Sequence, residues 1–117
     1  MSNATDIELI EIGIKEAKEF IDRKTAMDRL MTNRDFKRVF LKEYFEAEPV
    51  RLVMLKANPS MQDATCQAEI LKQMDAIGTL KGFMNAIRAQ GDMAVRALAE
   101  HEDALEEALR EDVEGAD

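Results

Sequence analysis

From position 63 onward the chain has no proline, and apolar or small residues fall at 77, 80, 84, 87, 91, 94, 98, 101, 105 and 108 in unbroken three-four alternation. That pattern (Ile77, Leu80, Met84, Ile87, Gly91, Ala94, Leu98, His101, Leu105, Ala108) is the seam of a helix that packs along one side. Helical from 63 to 112, such a segment is about 75 Å long at 1.5 Å rise per residue. A helix of that length is not held by propensity alone, so the rest of the chain, or another chain, has to lie along the seam.

The first half offers that partner. Ile7, Ile10, Ile14, Ala17, Ile21, Met27, Leu30 and Met31 recur at helical spacing behind a cap at Thr5 or Asp6, which predicts a first helix over about 5–31. Asn33 then stops one helix and caps the next, with Asp35 in its first turn. The second helix, about 33–57, carries Phe36, Val39, Phe40, Tyr44 and Phe45. Pro49 either kinks it or restarts it, because proline lacks the backbone donor and restricts Glu48 before it. Asn58-Pro59-Ser60 is the one clear turn, and a third helix follows over about 62–113. The expected fold is all-α: a single helical domain over 1–117, built as a long antiparallel hairpin with an acidic end at 100–117. Four aromatics in ten residues should lie at least partly buried against the last helix.

Composition agrees with helices. There is no Trp, one Tyr and only two prolines in 117 residues, whereas strands favour β-branched and aromatic residues. No long apolar run reads as a membrane span, and the start MSNATDIE lacks the basic and apolar regions of a signal peptide. Cys66, the single cysteine, has no partner for a bridge, and its plain use is as a small buried hydrophobe. Eight methionines fill gaps between helices or form a pliable docking surface.

The net charge of −8 is unevenly spread. Residues 100–117 hold nine acids (Glu100, Glu102, Asp103, Glu106, Glu107, Glu111, Asp112, Glu114, Asp117) against Arg110, and the first 99 residues balance fifteen acids with fifteen bases. Between 23 and 42, Arg23, Lys24, Arg29, Arg34, Lys37, Arg38 and Lys42 face only Asp28 and Asp35. The chain therefore has a basic bend and an acidic end, a pattern suited to contact with charged partners or other copies.

Catalytic signatures are missing. His101 is the only histidine, and the Glu-x-x-His spacing of helical di-iron sites fails because position 98 is Leu. There is no phosphate loop or nucleophile elbow. Neither an enzyme, a metal site nor a cofactor is expected, and His101 reads as a polar seam residue that tunes register. Residues 26–39 resemble a helix-turn-helix only weakly, since the turn lacks glycine and the aromatics take the packing face. Nucleic acid is thus an unlikely ligand for Arg34, Lys37, Arg38 and Lys42. Gly78, Gly82, Ala86 and Ala89 form a second stripe beside the seam. Glycines at 78, 82 and 91 each cost about 1 kcal/mol of helix propensity; either close helix approach, within the hairpin or between subunits, explains them, or packing elsewhere tolerates them. Candidate interaction residues are Arg29, Arg34, Lys37, Arg38, Lys42, Gly78, Gly82, Ala86, Glu102, Glu106 and Glu107.

Residues 33–62 carry Asp35-Phe36-Lys37, Tyr44-Phe45, Arg51-Leu52-Val53 and the corner Asn58-Pro59-Ser60-Met61-Gln62. This succession resembles small acidic helical proteins encoded in tailed-bacteriophage genomes, with a weaker likeness at Asp75-Ala76-Ile77-Gly78 and in the acidic end. Pro49 departs from the uninterrupted helix of that pattern. The resemblance implies a phage origin, a place among virion-assembly functions, and residence in the host cytoplasm during assembly or in the virion. A homo-oligomeric structural module touching other virion components is the leading expectation. The alternative is a phage regulator that inhibits a host protein, with the acidic helix imitating nucleic-acid phosphates.

Overall fold

A computed structural model describes residues 3–115. Helix accounts for all of these except Asn33, Asn58, Gln62, Asp63 and Gly115, and no strand occurs among them. The elements are α1 (Asn3–Thr32), α2 (Arg34–Phe36), a π-helical segment (Lys37–Ala47), α3 (Glu48–Ala57), a 3₁₀ turn (Pro59–Met61) and α4 (Ala64–Glu114). The chain is an all-α antiparallel helical hairpin with its corner at Asn58–Asp63. It forms two compact units: Met1–Ala26 with Ile87–Asp117, and Met27–Ala86.

The first unit pairs the start of α1 with the end of α4. Asn3 Nδ2 donates to the Ala108 carbonyl at 3.0 Å, and Arg23 reaches the Gln90 side chain at 3.4 Å, so the two segments run antiparallel. Its buried side chains are small: Ala17, Ala94 and Ala108, with Ile87 as the larger member. Gly91 lies against the stem of Lys24, and Gly13 lies under the His101 ring. Small residues at the contact let helix axes approach and are the physical reason for two of the interior glycines.

The second unit is packed with larger groups. Leu52 is completely buried and meets Ile70 and Ile77, with Tyr44, Phe45, Leu55, Met61 and Met74 packed around them. Burying a side chain of that size is worth about 1.5–3 kcal/mol, so this cluster fixes α3 against α4. Arg51 binds the Glu48 carboxylate and extends to Gln73 at 3.4 Å, and Lys81 sits over the Phe45 ring at 5.7 Å.

Local chemistry sets the element ends. Asn33 Oδ1 accepts from the Phe36 amide at 3.0 Å, the expected cap. Asp63 caps α4 by accepting from the Cys66 amide at 3.1 Å. At the corner, Asn58 Oδ1 accepts from the Ser60 amide and hydroxyl at 2.9 and 2.8 Å. Gln62 and Gln67 both donate to the Lys56 carbonyl, at 2.9 and 3.0 Å, which satisfies a backbone acceptor left open where α3 stops.

At Pro49 the second helix changes type, the restart that the sequence allowed: the π-helical segment ends at Ala47 and α3 starts at Glu48 with Pro49 in its first turn. The Glu48 amide donates to the Glu43 carbonyl five residues back, and the backbone at Ala47 and Glu48 stays helical. Pro49 has no N–H to continue that i→i+5 ladder, so the wide turns end there and ordinary helix resumes with proline in its first turn. The aromatics also differ in part from expectation. Tyr44 and Phe45 reach the core and Phe36 is half-buried, but Phe40 is 38% exposed. The Phe36 and Phe40 rings stack with centroids 5.0 Å apart, and Phe40 meets Tyr44 edge-on at 6.3 Å. Cys66 is half-buried in the first turn of α4 rather than a core residue.

Candidate interaction surfaces

In the second unit, Thr32, Arg34, Lys37, Arg38, Lys42 and Glu43 line an open groove of about 570 Å³. Asn33 starts the helix, and Arg34, Arg38 and Lys42 follow at four-residue intervals along one side, with Lys37 beside them. Only Arg38 is balanced within the groove, its Nε lying 3.6 Å from Glu43 Oε1 with both side chains well exposed. Among the described residues, Arg34, Lys37 and Lys42 hold no ion pair. Three of the lining cations, Lys37, Arg38 and Lys42, sit on the eleven-residue π-helical segment. Such segments are rare and frequently mark functional sites.

Four of the seven bend cations named from sequence thus share one groove. Arg29 does not line it; its carbonyl accepts from the Thr32 hydroxyl at 2.9 Å. Arg23 and Lys24 belong elsewhere. Lys24 Nζ pairs with Asp92 at 3.1 Å, and the Arg23 guanidinium lies 6.0 Å from the Phe20 ring centroid, all in the first unit.

The outward side of α3 is apolar. Val50, Val53 and Met54 are 63%, 53% and 70% exposed, on the side of the helix away from Leu52. At about 100° per residue these positions, with exposed Ala57, form one strip. Nothing in the sequence pattern separated this strip from the core, because 50, 52, 53, 54 and 55 are apolar at helical density on both sides.

The small-residue stripe needs correcting. Gly78, Gly82, Ala86 and Ala89 are all exposed, and an added Cβ at Gly78 or Gly82 meets nothing within 4 Å. The stripe points away from the seam rather than beside it, so these two glycines serve no close approach among the described residues. Gly91 and Gly13 do. Gly13 escaped notice because its role depends on His101, a partner 88 positions away.

In the first unit the acidic end of α4 has two sides. Glu100, Asp103, Glu107, Glu111 and Glu114 fall three or four residues apart on the face opposite Leu98, His101, Leu105 and Ala108, and all five are exposed. Among the described residues none of these carboxylates holds an ion pair. Glu102 and Glu106 lie on a flank, where Glu106 accepts from Arg110 at 3.3 Å. Asp117 lies outside the described residues. His101 borders a mostly apolar groove of about 300 Å³ with Gly13, Glu16, Ala17, Phe20, Gln90 and Met93.

Two pairs of titrating groups are shifted by contact. The Cys66 thiol donates to the Asp63 carboxylate, which pushes the thiol above its ordinary value and holds Asp63 below its own. Arg51 in the same way holds the Glu48 carboxyl low. Among the described residues no group of three histidine, cysteine or acidic side chains could hold a metal ion, and no helix is long and apolar enough to cross a membrane. No protein-family model, curated protein or solved structure matches the chain.

Proposed function

We propose that this chain is a helical protein–protein interaction module that serves virion assembly in a tailed bacteriophage, binding other proteins rather than transforming a substrate. The observation that carries the interaction part is the outer strip of α3, where Val50, Val53 and Met54 stand more than half exposed on one helix face. A hydrophobic strip of this kind marks a contact surface, and the same unit also carries the cationic groove. The phage part rests on the resemblance over 33–62, the stretch that forms α2, the π-helical segment, α3 and the corner.

The carboxylate row on α4 favours a second reading, a phage regulator that presents these charges to a host protein that binds nucleic acid. Mass spectrometry of purified virions of the encoding phage separates the two. Stoichiometric presence is expected for the assembly role; absence from virions together with early expression overturns it in favour of the regulator.

A further inference from the structure

We infer that the groove formed by Arg34, Lys37, Arg38 and Lys42 receives the carboxylate row Glu100, Asp103, Glu107, Glu111 and Glu114 of a second copy of this chain. The inference rests on the interaction-module reading and names its partner. Both halves of the contact are complementary in charge and exposed, and apart from Arg38 their charged groups hold no ion pair among the described residues. Glu43 offsets one guanidinium in the groove, and the other three cations have no carboxylate paired with them among the described residues. The row places five carboxylates along about 21 Å of helix, from 14 residues at 1.5 Å each. The basic side from Arg34 to Lys42 covers about two helical turns, so the row is long enough to fill the groove in more than one register.

The occupant follows from charge. A polyanion such as nucleic acid could also use four cations, but it would approach a molecule of net charge −8, whose field opposes it. A second copy also carries −8, but residues 100–117 hold all of it and the first 99 balance fifteen acids with fifteen bases, so beyond the docked end it adds no net repulsion, unlike a phosphate backbone. Every copy supplies such a helix at the concentration of the groove itself. Each association then joins unlike surfaces, groove to row, which closes either reciprocally in pairs or around a ring.

Exposed ion pairs contribute little singly and fade with salt, since the screening length falls from about 30 Å at 0.01 M to about 3 Å at 1 M. The association should therefore weaken steeply with ionic strength. Sedimentation of the full chain at 20 mM and 500 mM sodium chloride should show mass above 13.2 kDa at low salt and the single-chain mass at high salt. Lys37→Glu with Lys42→Glu, and separately Glu107→Lys with Glu111→Lys, should each raise the dissociation constant about tenfold at low salt. Mixing the two variants should restore association, because each then supplies the other's complement. Circular dichroism confirms that each variant keeps its helix. Three results overturn the inference: a single-chain mass at low salt, association indifferent to salt and to both swaps, or losses that mixing does not rescue. A fluorescent single-stranded DNA added to the intact chain supplies another: tight binding that Lys37→Glu with Lys42→Glu abolishes would give the groove to nucleic acid. Failure here with the protein present in virions leaves the assembly reading intact, whereas rescue with absence from virions sinks that reading alone.

Discussion

Gly78, Gly82 and Gly91 sit in one helix, and alanine at each should act with opposite sign. Glycine costs about 1 kcal/mol relative to alanine in a helix interior, so substitution in open space is a gain of up to that size. Gly78 and Gly82 have such space, with nothing within 4 Å of an added Cβ. At Gly91 the new carbon would overlap Lys24 Cβ and stand 2.7 Å from its Cδ. Cβ is fixed by the backbone, so no rotamer change relieves the overlap; α1 and α4 must part locally, loosening Ala17 and Ala94. Overpacking of this kind costs about 1–3 kcal/mol, and the rigid obstacle places it at the upper end. Net of the propensity gain, Gly91→Ala should destabilise by about 2 kcal/mol. With an unfolding entropy of about 2.1 cal/mol/K per residue, a chain this long has roughly 0.25 kcal/mol/K. Thermal melts by circular dichroism should then show Gly91→Ala about 8 °C lower, and Gly78→Ala or Gly82→Ala up to about 4 °C higher. A rise at Gly91 equal to the other two would refute the close approach of Lys24. A fall at Gly82 that grows with protein concentration would mean a partner covers the stripe.

Leu52→Ala should lose about 3–4 kcal/mol in denaturant titration, because a fully buried leucine leaves both a transfer loss and a cavity; a loss under 1 kcal/mol would mean the second unit collapses around the gap. Asn33→Ala should cost about 1 kcal/mol by removing the Phe36 cap, read as a lower midpoint with helical content retained. Iodoacetamide should modify Cys66 more slowly at pH 8 than a free thiol, and faster in Asp63→Asn, because only the thiolate reacts and Asp63 holds the proton on sulfur. The lowered Asp63 carboxyl contributes stability above the ordinary aspartate range and loses it as pH falls through its folded value, so Asp63→Asn should be less acid-sensitive than the parent.

The buried seam of α4 was readable because three-four spacing reports directly which side of a helix faces a partner: Ile77, Met84, Ile87, Gly91, Ala94 and Ala108 are all buried. Asn33 and the Asn58 corner were readable for the same local reason, since their side chains bond within three residues. What lay beyond reach depended on distant partners. Period alone cannot say whether a glycine meets a lysine stem, as at 91, or open space, as at 82. It also cannot tell π-helix from α-helix, because both keep helical backbone angles and differ in which carbonyl each amide finds. For the groove, clustered charge indicated Arg34, Lys37, Arg38 and Lys42 together, while Lys24 dropped out because Asp92 waits for it across the first unit.

The π-helical segment has a consequence for how sequences of this kind can drift. Removing one residue between Lys37 and Ala47 would still leave a run able to close i→i+4 bonds, so the helix itself survives. Everything beyond the deletion, however, turns by about 100° about the axis. Leu52 would leave the cluster with Ile70 and Ile77, and the Val50, Val53 and Met54 strip would swing round with it. The number of residues between Asn33 and Pro49 therefore acts as a phase setting that decides which side of α3 is interior. Point changes along the segment are read by the groove, but insertions and deletions are read by the core.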